Sequence, residues 1–182
     1  MAKGNSWKTR NRTRAYYGYE GRNILKRELK SAPQFTLDDL YITPFTRKKR
    51  YDEDGYWQYV PVERRLKPTG IHVMDDFLNY LAEGHSDMQA FADRHGLKTE
   101  EIAALVFILT GMKSTRFRQL YQVRLVDDLL RFTDLSCNEV ARRSGLGSPN
   151  NLYLTLRREY NMSATERREH LQRQGDLGRF AL

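Results

Sequence analysis

The sequence holds a single cysteine, Cys137, in 182 residues. One thiol excludes an intramolecular disulfide framework and a multi-cysteine zinc site. Long apolar runs are missing as well. The longest falls within residues 102–109, far short of the ~20 residues that cross a bilayer. The basic start, Met1-Ala2-Lys3-Gly4-Asn5, is followed by no apolar segment of the kind a secretory signal needs. A cytoplasmic protein without membrane contact is expected. Catalytic arrangements are also lacking. His72, His85, His95 and His170 show no metal-ligand spacing among themselves or with Cys137, and neither a G-x-S-x-G elbow nor a phosphate-cradling glycine loop occurs. The acidic pairs Asp75-Asp76 and Asp127-Asp128 are neighbours on helical segments, so their side chains diverge. The expectation is a non-enzyme with no metal and no cofactor. Cys137 reads as a small half-buried residue and His95 as part of the turn before Gly96.

What is present is positive charge, unevenly placed. Residues 1–70 carry 16 Lys and Arg against 8 Asp and Glu, and residues 71–182 carry 15 of each, so the whole excess of +8 lies in the first part. Such an excess favours polyanions, because neutralising phosphates releases their condensed counterions; the alternative is a solvated charged tail. Residues 1–35 form a basic, tyrosine-rich arm in which Lys8, Arg10, Arg12 and Arg14 alternate with Trp7, Tyr16, Tyr17 and Tyr19. Cations and flat rings suit phosphates and bases. Asn23 to Leu29 has the spacing for two helical turns.

Residues 36–70 read as strand and turn. Arg47-Lys48-Lys49-Arg50-Tyr51 and Tyr56-Trp57-Gln58-Tyr59-Val60 flank Asp54-Gly55, which predicts a β-hairpin, with Pro61 putting the second strand at an edge. A lone hairpin is marginal in water, so it is expected to pack on the helical part. From Ile71 the pattern turns helical: Met74, Phe77, Leu78 and Leu81 share one face and Gly84 ends the segment. Capping boxes at Ser86–Gln89, Ser136–Glu139 and Ser163–Glu166, together with Ser148-Pro149, predict short helices with tight turns.

Two segments repeat. Phe91-Ala92-Asp93-Arg94-His95-Gly96-Leu97 matches Val140-Ala141-Arg142-Arg143-Ser144-Gly145-Leu146. After one extra residue in the second copy, Ile102, Val106 and Gly111-Met112 align with Leu152, Leu156 and Asn161-Met162. Each copy is a short helix with an inward Ala, a Gly turn and a longer helix, as a helix-turn-helix requires. Thr115 to Phe132 reads as an amphipathic helix joining them. The expected fold is mainly α: two helix-turn-helix units (about 86–112 and 136–173) joined by a linker helix (115–132), within a 71–182 domain preceded by the arm and the hairpin segment.

Arg124-Leu125, Leu129-Leu130, Thr133-Asp134-Leu135-Ser136, Glu139-Val140-Ala141, Gly145-Leu146, Ser148-Pro149, Leu152, Arg157-Arg158-Glu159-Tyr160 and Met162-Ser163 resemble the second half of the AraC-type (AraC/XylS) DNA-binding domain. Met88 to Met112 resembles the first half more loosely, and Ser86–Arg173 spans about 88 of 182 residues. The first 70 residues match no family and do not resemble a small-molecule sensor domain. Three positions depart from the family pattern: Asn161 for a glycine, Ala164 for a proline, and Leu154 where an arginine is common.

The resemblance implies a bacterial transcription regulator, nucleoid-associated, whose second recognition helix enters the major groove of double-stranded DNA. Ser148, Asn150, Asn151, Leu154, Arg157 and Arg158 would then face the DNA, Asn suited to adenine and Arg to guanine or phosphate. Lys8, Arg10, Arg12, Arg14, Lys48, Lys49 and Arg50 would hold phosphates. The first recognition helix differs, with Glu100 and Glu101 near its start and apolar Phe107 and Ile108 at positions usually polar. These four suggest protein docking, to RNA polymerase or another protein, and the two apolar side chains are expected to lie under the hairpin or a partner. An alternative reading is a structural or adaptor subunit of a nucleoprotein complex, or a mobile-element DNA accessory protein.

Overall fold

The computed structural model describes residues 32–62 and 68–182. The arm residues Lys8, Arg10, Arg12 and Arg14 and the helical turns expected at 23–29 lie outside the described residues. Elements follow in the order α1 (Leu37–Leu40), β1 (Arg47–Tyr51), β2 (Trp57–Pro61), α2 (His72–Ala82), α3 (Met88–Arg94), α4 (Thr99–Thr110), α5 (Ser114–Phe132), α6 (Cys137–Arg143), α7 (Pro149–Tyr160), α8 (Ala164–Leu171) and β3 (Phe180–Ala181). Pro33–Leu182 forms one compact unit. No described helix is long and apolar enough to cross a membrane.

The two repeats fold alike. α3 and α6 have 7 residues each and α4 and α7 have 12 each. The extra residue of the second copy falls in the turn. Both longer helices end on a left-handed residue, Gly111 (φ 71°) and Asn161 (φ 56°), each donating its N–H back to the fourth residue before it. Asn serves where Gly is usual because it tolerates this conformation at little cost.

α5 supplies one side to each of two cores. Phe117, Tyr121 and Leu125, spaced by four, line one side and are fully buried with Met74, Phe77, Phe91, Ile102 and Val106. Val126, Leu129 and Leu130 lie further round the helix and are buried with Val140, Ala141, Leu152 and Leu156. Each helix-turn-helix thus closes its own core on a different stretch of one rigid rod.

The segment before the hairpin is part of the first core. Thr36 and Asp39 form a capping box at α1, where the sequence reading has only strand and turn. Leu40 and Ile42 are buried in the first core, and the N–H groups of Gln34 and Phe35 both donate to the Leu109 carbonyl at the end of α4. Tyr121 is satisfied inside: its hydroxyl accepts from Ile42 N (3.1 Å) and donates to the Leu78 carbonyl (3.3 Å).

The hairpin forms as expected. β1 and β2 pair antiparallel from Arg47↔Pro61 to Tyr51↔Trp57, and Asp52 Oδ1 accepts from the N–H groups of Asp54 and Tyr56 to shape the turn. The sheet order β2-β1-β3 leaves the proline-bearing strand at an edge. It packs on the helices through the chain end: Phe45 is buried between Phe132 (5.7 Å, edge-on) and Phe180 (5.2 Å, stacked). The hairpin does not cover Ile108, which is 58% exposed, because β1 pairs with β3 rather than lying on α4. Two local readings are also corrected. The N-cap of α3 is Asp87, not Ser86: a carboxylate one residue on accepts from both Gln89 N and Ala90 N. Cys137 is exposed rather than half-buried, since the first turn of α6 points its side chain outward.

The chain end is held by Asp176, 5% exposed, which accepts from Arg131 Nε at 2.8 Å. That hydrogen bond is the main reason the Asp176 carboxyl sits below the usual carboxylate range. A depressed carboxyl stabilises the fold above its unfolded pKa of about 4 and loses that contribution as pH falls through its lower folded value. Asp176→Asn should therefore melt below wild type at pH 6, with the gap closing below about pH 4 when both are followed by circular dichroism. A gap that persists unchanged at low pH would show that the carboxylate charge is not what holds the chain end.

Candidate nucleic-acid interface

The second unit is built to present α7. Ser136 and Glu139 close a capping box at α6, with Glu139 held below the usual carboxylate range by the Ser136 hydroxyl first. Ala141 is fully buried, and its carbonyl accepts the N–H groups of both Leu146 (2.9 Å) and Gly147 (3.0 Å), which turns the chain sharply into α7. Ser148 caps α7 by accepting from Asn151 N, and Pro149 occupies the first helical position, where a missing N–H costs nothing. Leu152, Thr155 and Leu156 face inward.

Asn150, Asn151, Leu154, Arg157 and Arg158 are all exposed, so the outward set expected from the sequence lies on one helix and free of the core. They are not equivalent. The Asn151 side chain donates to the Leu146 carbonyl (2.9 Å) and is tied to the turn. Arg158 Nε donates to Glu159 Oε1 (3.1 Å), which also receives Arg116 Nη1 (2.9 Å) from α5. Glu159 is held below the usual range chiefly by Arg116. Arg157 donates to the Asn161 carbonyl and lies 5.5 Å from the centre of the Tyr153 ring. Asn150, Tyr153, Leu154 and Arg157 form an exposed stripe at helical spacing. Tyr153, 46% exposed, is absent from the sequence reading. Its position three residues after Asn150 was the available signal. Arg142 and Arg143 in the last turn of α6 are also exposed cations, and Arg143 lines a pocket with Asn79, Glu83 and Leu182 rather than the stripe on α7.

The same frame in the first unit carries different chemistry. Fifty residues earlier, Glu100, Glu101, Ala104, Phe107 and Ile108 stand where α7 has Asn150, Asn151, Leu154, Arg157 and Arg158. Glu101 accepts from Lys98 N (2.8 Å) and so closes the helix start, Glu100 is exposed, Phe107 is half-buried and Ile108 is exposed. Lys48, Lys49 and Arg50 lie on β1, Lys49 half-buried among rings and the others exposed.

Neither a protein-family model nor a curated protein matches this chain. Solved structures do. The C-terminal domain of AraT, a response regulator from Geobacillus stearothermophilus, is 14% identical, with 61% of this chain and 92% of that chain covered and a TM-score of 0.51. The DNA-binding domain of AdpA, a global transcriptional factor solved in complex with a target DNA, is 26% identical over 54% of this chain and 88% of that one, with a TM-score of 0.47. The C-terminal domain of the two-component response regulator yesN from Fusobacterium nucleatum is 12% identical over 53% and 94%, with a TM-score of 0.47. The C-terminal part of this chain has the AraC-type fold, two helix-turn-helix units carried on one linker helix.

Proposed function

We propose that this chain is a DNA-binding transcription regulator of AraC-like type, a binding protein rather than an enzyme, acting in the cytoplasm on double-stranded DNA. The observation that carries the reading is the contrast between two equivalent helices of 12 residues each. α7 presents amides, a ring and cations around Asn150 and Arg157, whereas α4 presents two carboxylates and an exposed isoleucine. Amides and guanidinium groups pair with base edges in the major groove; carboxylates beside a phosphate backbone are repelled. The second unit is the reader, and Ser148 and Asn151 hold its turn as much as they meet DNA. Lys48, Arg50 and the arm cations Lys8, Arg10, Arg12 and Arg14 supply contacts that carry no sequence information.

The exposed Ile108, on the same helix as Glu100, favours a second role for the first unit, docking a protein such as RNA polymerase. An adaptor subunit of a nucleoprotein complex would use this face for protein docking and the basic arm for nucleic acid.

Selection of bound fragments from a random duplex pool at about 150 mM salt tests the reading, since nonspecific phosphate binding is strong when salt is low. Wild type should enrich one short motif. Arg157→Ala should bind that motif roughly ten- to a hundredfold more weakly and accept more bases at one position, the cost of about 1–3 kcal/mol for one base-pair contact. Arg10→Ala with Arg12→Ala should weaken all sequences alike. Enrichment of no motif by wild type, or equal enrichment by the Arg157 variant, would move the assignment to the adaptor.

A further inference from the structure

The hairpin carries a surface that neither helix-turn-helix unit uses. Alternation along β1 and β2 and their register put Arg47, Lys49 and Tyr51 on the same face as Trp57 and Tyr59. Tyr51 is 61% exposed, Trp57 53% and Tyr59 36%, unusual figures for large rings on a short sheet that has helices available to cover it. The rings and cations interleave. Lys49 Nζ lies 4.2 Å from the centre of the Trp57 ring and 5.4 Å from that of Tyr51, and Arg47 lies 5.8 Å from that of Tyr59. Trp57 and Tyr59 meet edge to face at 5.5 Å, so their flat faces are not stacked on each other. The opposite face carries no aromatic residue from β1 or β2; it holds Lys48, Arg50, Gln58 and the half-buried Val60.

We propose that this face is a stacking platform for single-stranded nucleic acid, with Trp57 and Tyr51 taking bases and Arg47 and Lys49 the phosphates between them. Charge complementarity selects a polyanion, and the exposed rings of Tyr51 and Trp57 select one whose bases are unpaired. A duplex keeps its bases stacked on one another and offers these rings nothing but its backbone, whereas each base stacked on a protein ring contributes about 1–3 kcal/mol in single-strand binders. The acidic turn, Asp52, Glu53 and Asp54, limits the strand's path to the side of the hairpin away from its tip. This site is independent of the reading of α7: it lies on different elements and takes a different form of nucleic acid.

The chain has two tryptophans, so Trp7→Phe leaves Trp57 as the reporter. Full-length protein with that change is titrated with a dT oligonucleotide of about 12 nucleotides, within the span one small platform engages, with a duplex of matching length, and with poly-glutamate. The single strand should quench Trp57 emission and saturate at a concentration at least tenfold below the duplex. In the otherwise native chain, Tyr51→Ala with Trp57→Ala should weaken single-strand binding at least tenfold and leave duplex affinity within twofold, with an unchanged circular dichroism spectrum. Both side chains are more than half exposed, so the fold does not depend on them. Equal quenching by duplex would reduce the surface to an ordinary backbone contact, and equal quenching by poly-glutamate would make it an acidic-peptide site. Either result, or a double variant that binds the single strand as wild type does, overturns the proposal.

Discussion

Asp127→Ala should lower the melting temperature of this chain by about 10 °C and disable the second helix-turn-helix. Asp127 stands on α5 where the linker meets the second core. It accepts from the Tyr160 hydroxyl (2.7 Å), from Arg167 Nε (2.9 Å) and from Arg167 Nη2 (2.7 Å), joining the end of α7 and the body of α8 to the rod in one contact. The Arg167 guanidinium lies 3.6 Å above the Tyr160 ring, and the side chains of Arg167 and Asp127 are only 12% and 17% exposed. Burial, then Asp127, pushes the Tyr160 phenol up to about 12, so it stays a donor throughout the physiological range. Truncating the carboxylate strands a mostly buried cation as well as a phenol, and breaking a buried pair from one side costs about 3–5 kcal/mol. At roughly 2–4 °C per kcal/mol for a folded unit of this size, the thermal shift is about 10 °C. Asp127→Asn keeps an acceptor for Tyr160 and loses the charge, so it should fall between the two. Thermal unfolding followed at 222 nm decides it: a shift below about 2 °C for the alanine variant would mean that water replaces the carboxylate and the brace is not buried in solution.

Asp127 and its neighbour show which parts of the molecule a sequence discloses. That the two side chains diverge follows from adjacency alone. What the pair does depends on partners far along the chain, since Asp127 reaches Tyr160 and Arg167 while Asp128 accepts from Tyr41. The helices were legible because their signals are local: a cap, a helical spacing of apolar residues, a left-handed stop. The hairpin was legible for the same reason, through Asp54-Gly55 and Pro61. The exposed face of α7 followed from subtracting the core-spaced residues Leu152, Leu156 and Tyr160, although Tyr153 escaped because an aromatic three residues from Asn150 fits a core as well as a surface. The placing of Phe35, Leu40, Ile42 and Phe45 was not legible. Each is an ordinary apolar residue in a short irregular stretch, and its partners lie on α2, α4, α5 and the chain end. β3 is two residues long and has no periodicity to read. The choice between Ser86 and Asp87 as cap turned on a single residue of register, which neighbouring good caps leave open.

The largest backbone effect is expected at Gly84, where the end of α2 touches the turn of the second unit. Gly84 has φ +81°, and a Cβ added there would overlap the Arg143 carbonyl, which is backbone and cannot rotate away. The contact is reciprocal: a Cβ on Gly145 (φ +75°) would lie 2.9 Å from the Gly84 carbonyl oxygen and 3.3 Å from Gln122 Nε2, the group that donates to the Gly145 carbonyl. Two helix-ending glycines thus let the preamble of the first unit rest on the turn that aims α7. Gly84→Ala combines about 1–2 kcal/mol for a side chain in the left-handed region with about 1–3 kcal/mol for forced separation of packed backbone. Gly70→Ala is the control, because Gly70 has nearly the same φ (+78°) but nothing within 4 Å of its added Cβ, so only the conformational part is lost. Denaturant unfolding should place Gly84→Ala about 3 kcal/mol below wild type and Gly70→Ala about 1. The two variants should also separate on DNA. Displacing the Arg143–Gly145 turn tilts α7 and weakens duplex binding at temperatures where the chain is still folded, whereas the Gly70 variant leaves α7 in place. Equal stabilities for the two would mean that the seam opens at little cost and that the two units are joined by α5 alone, free to set their recognition helices independently.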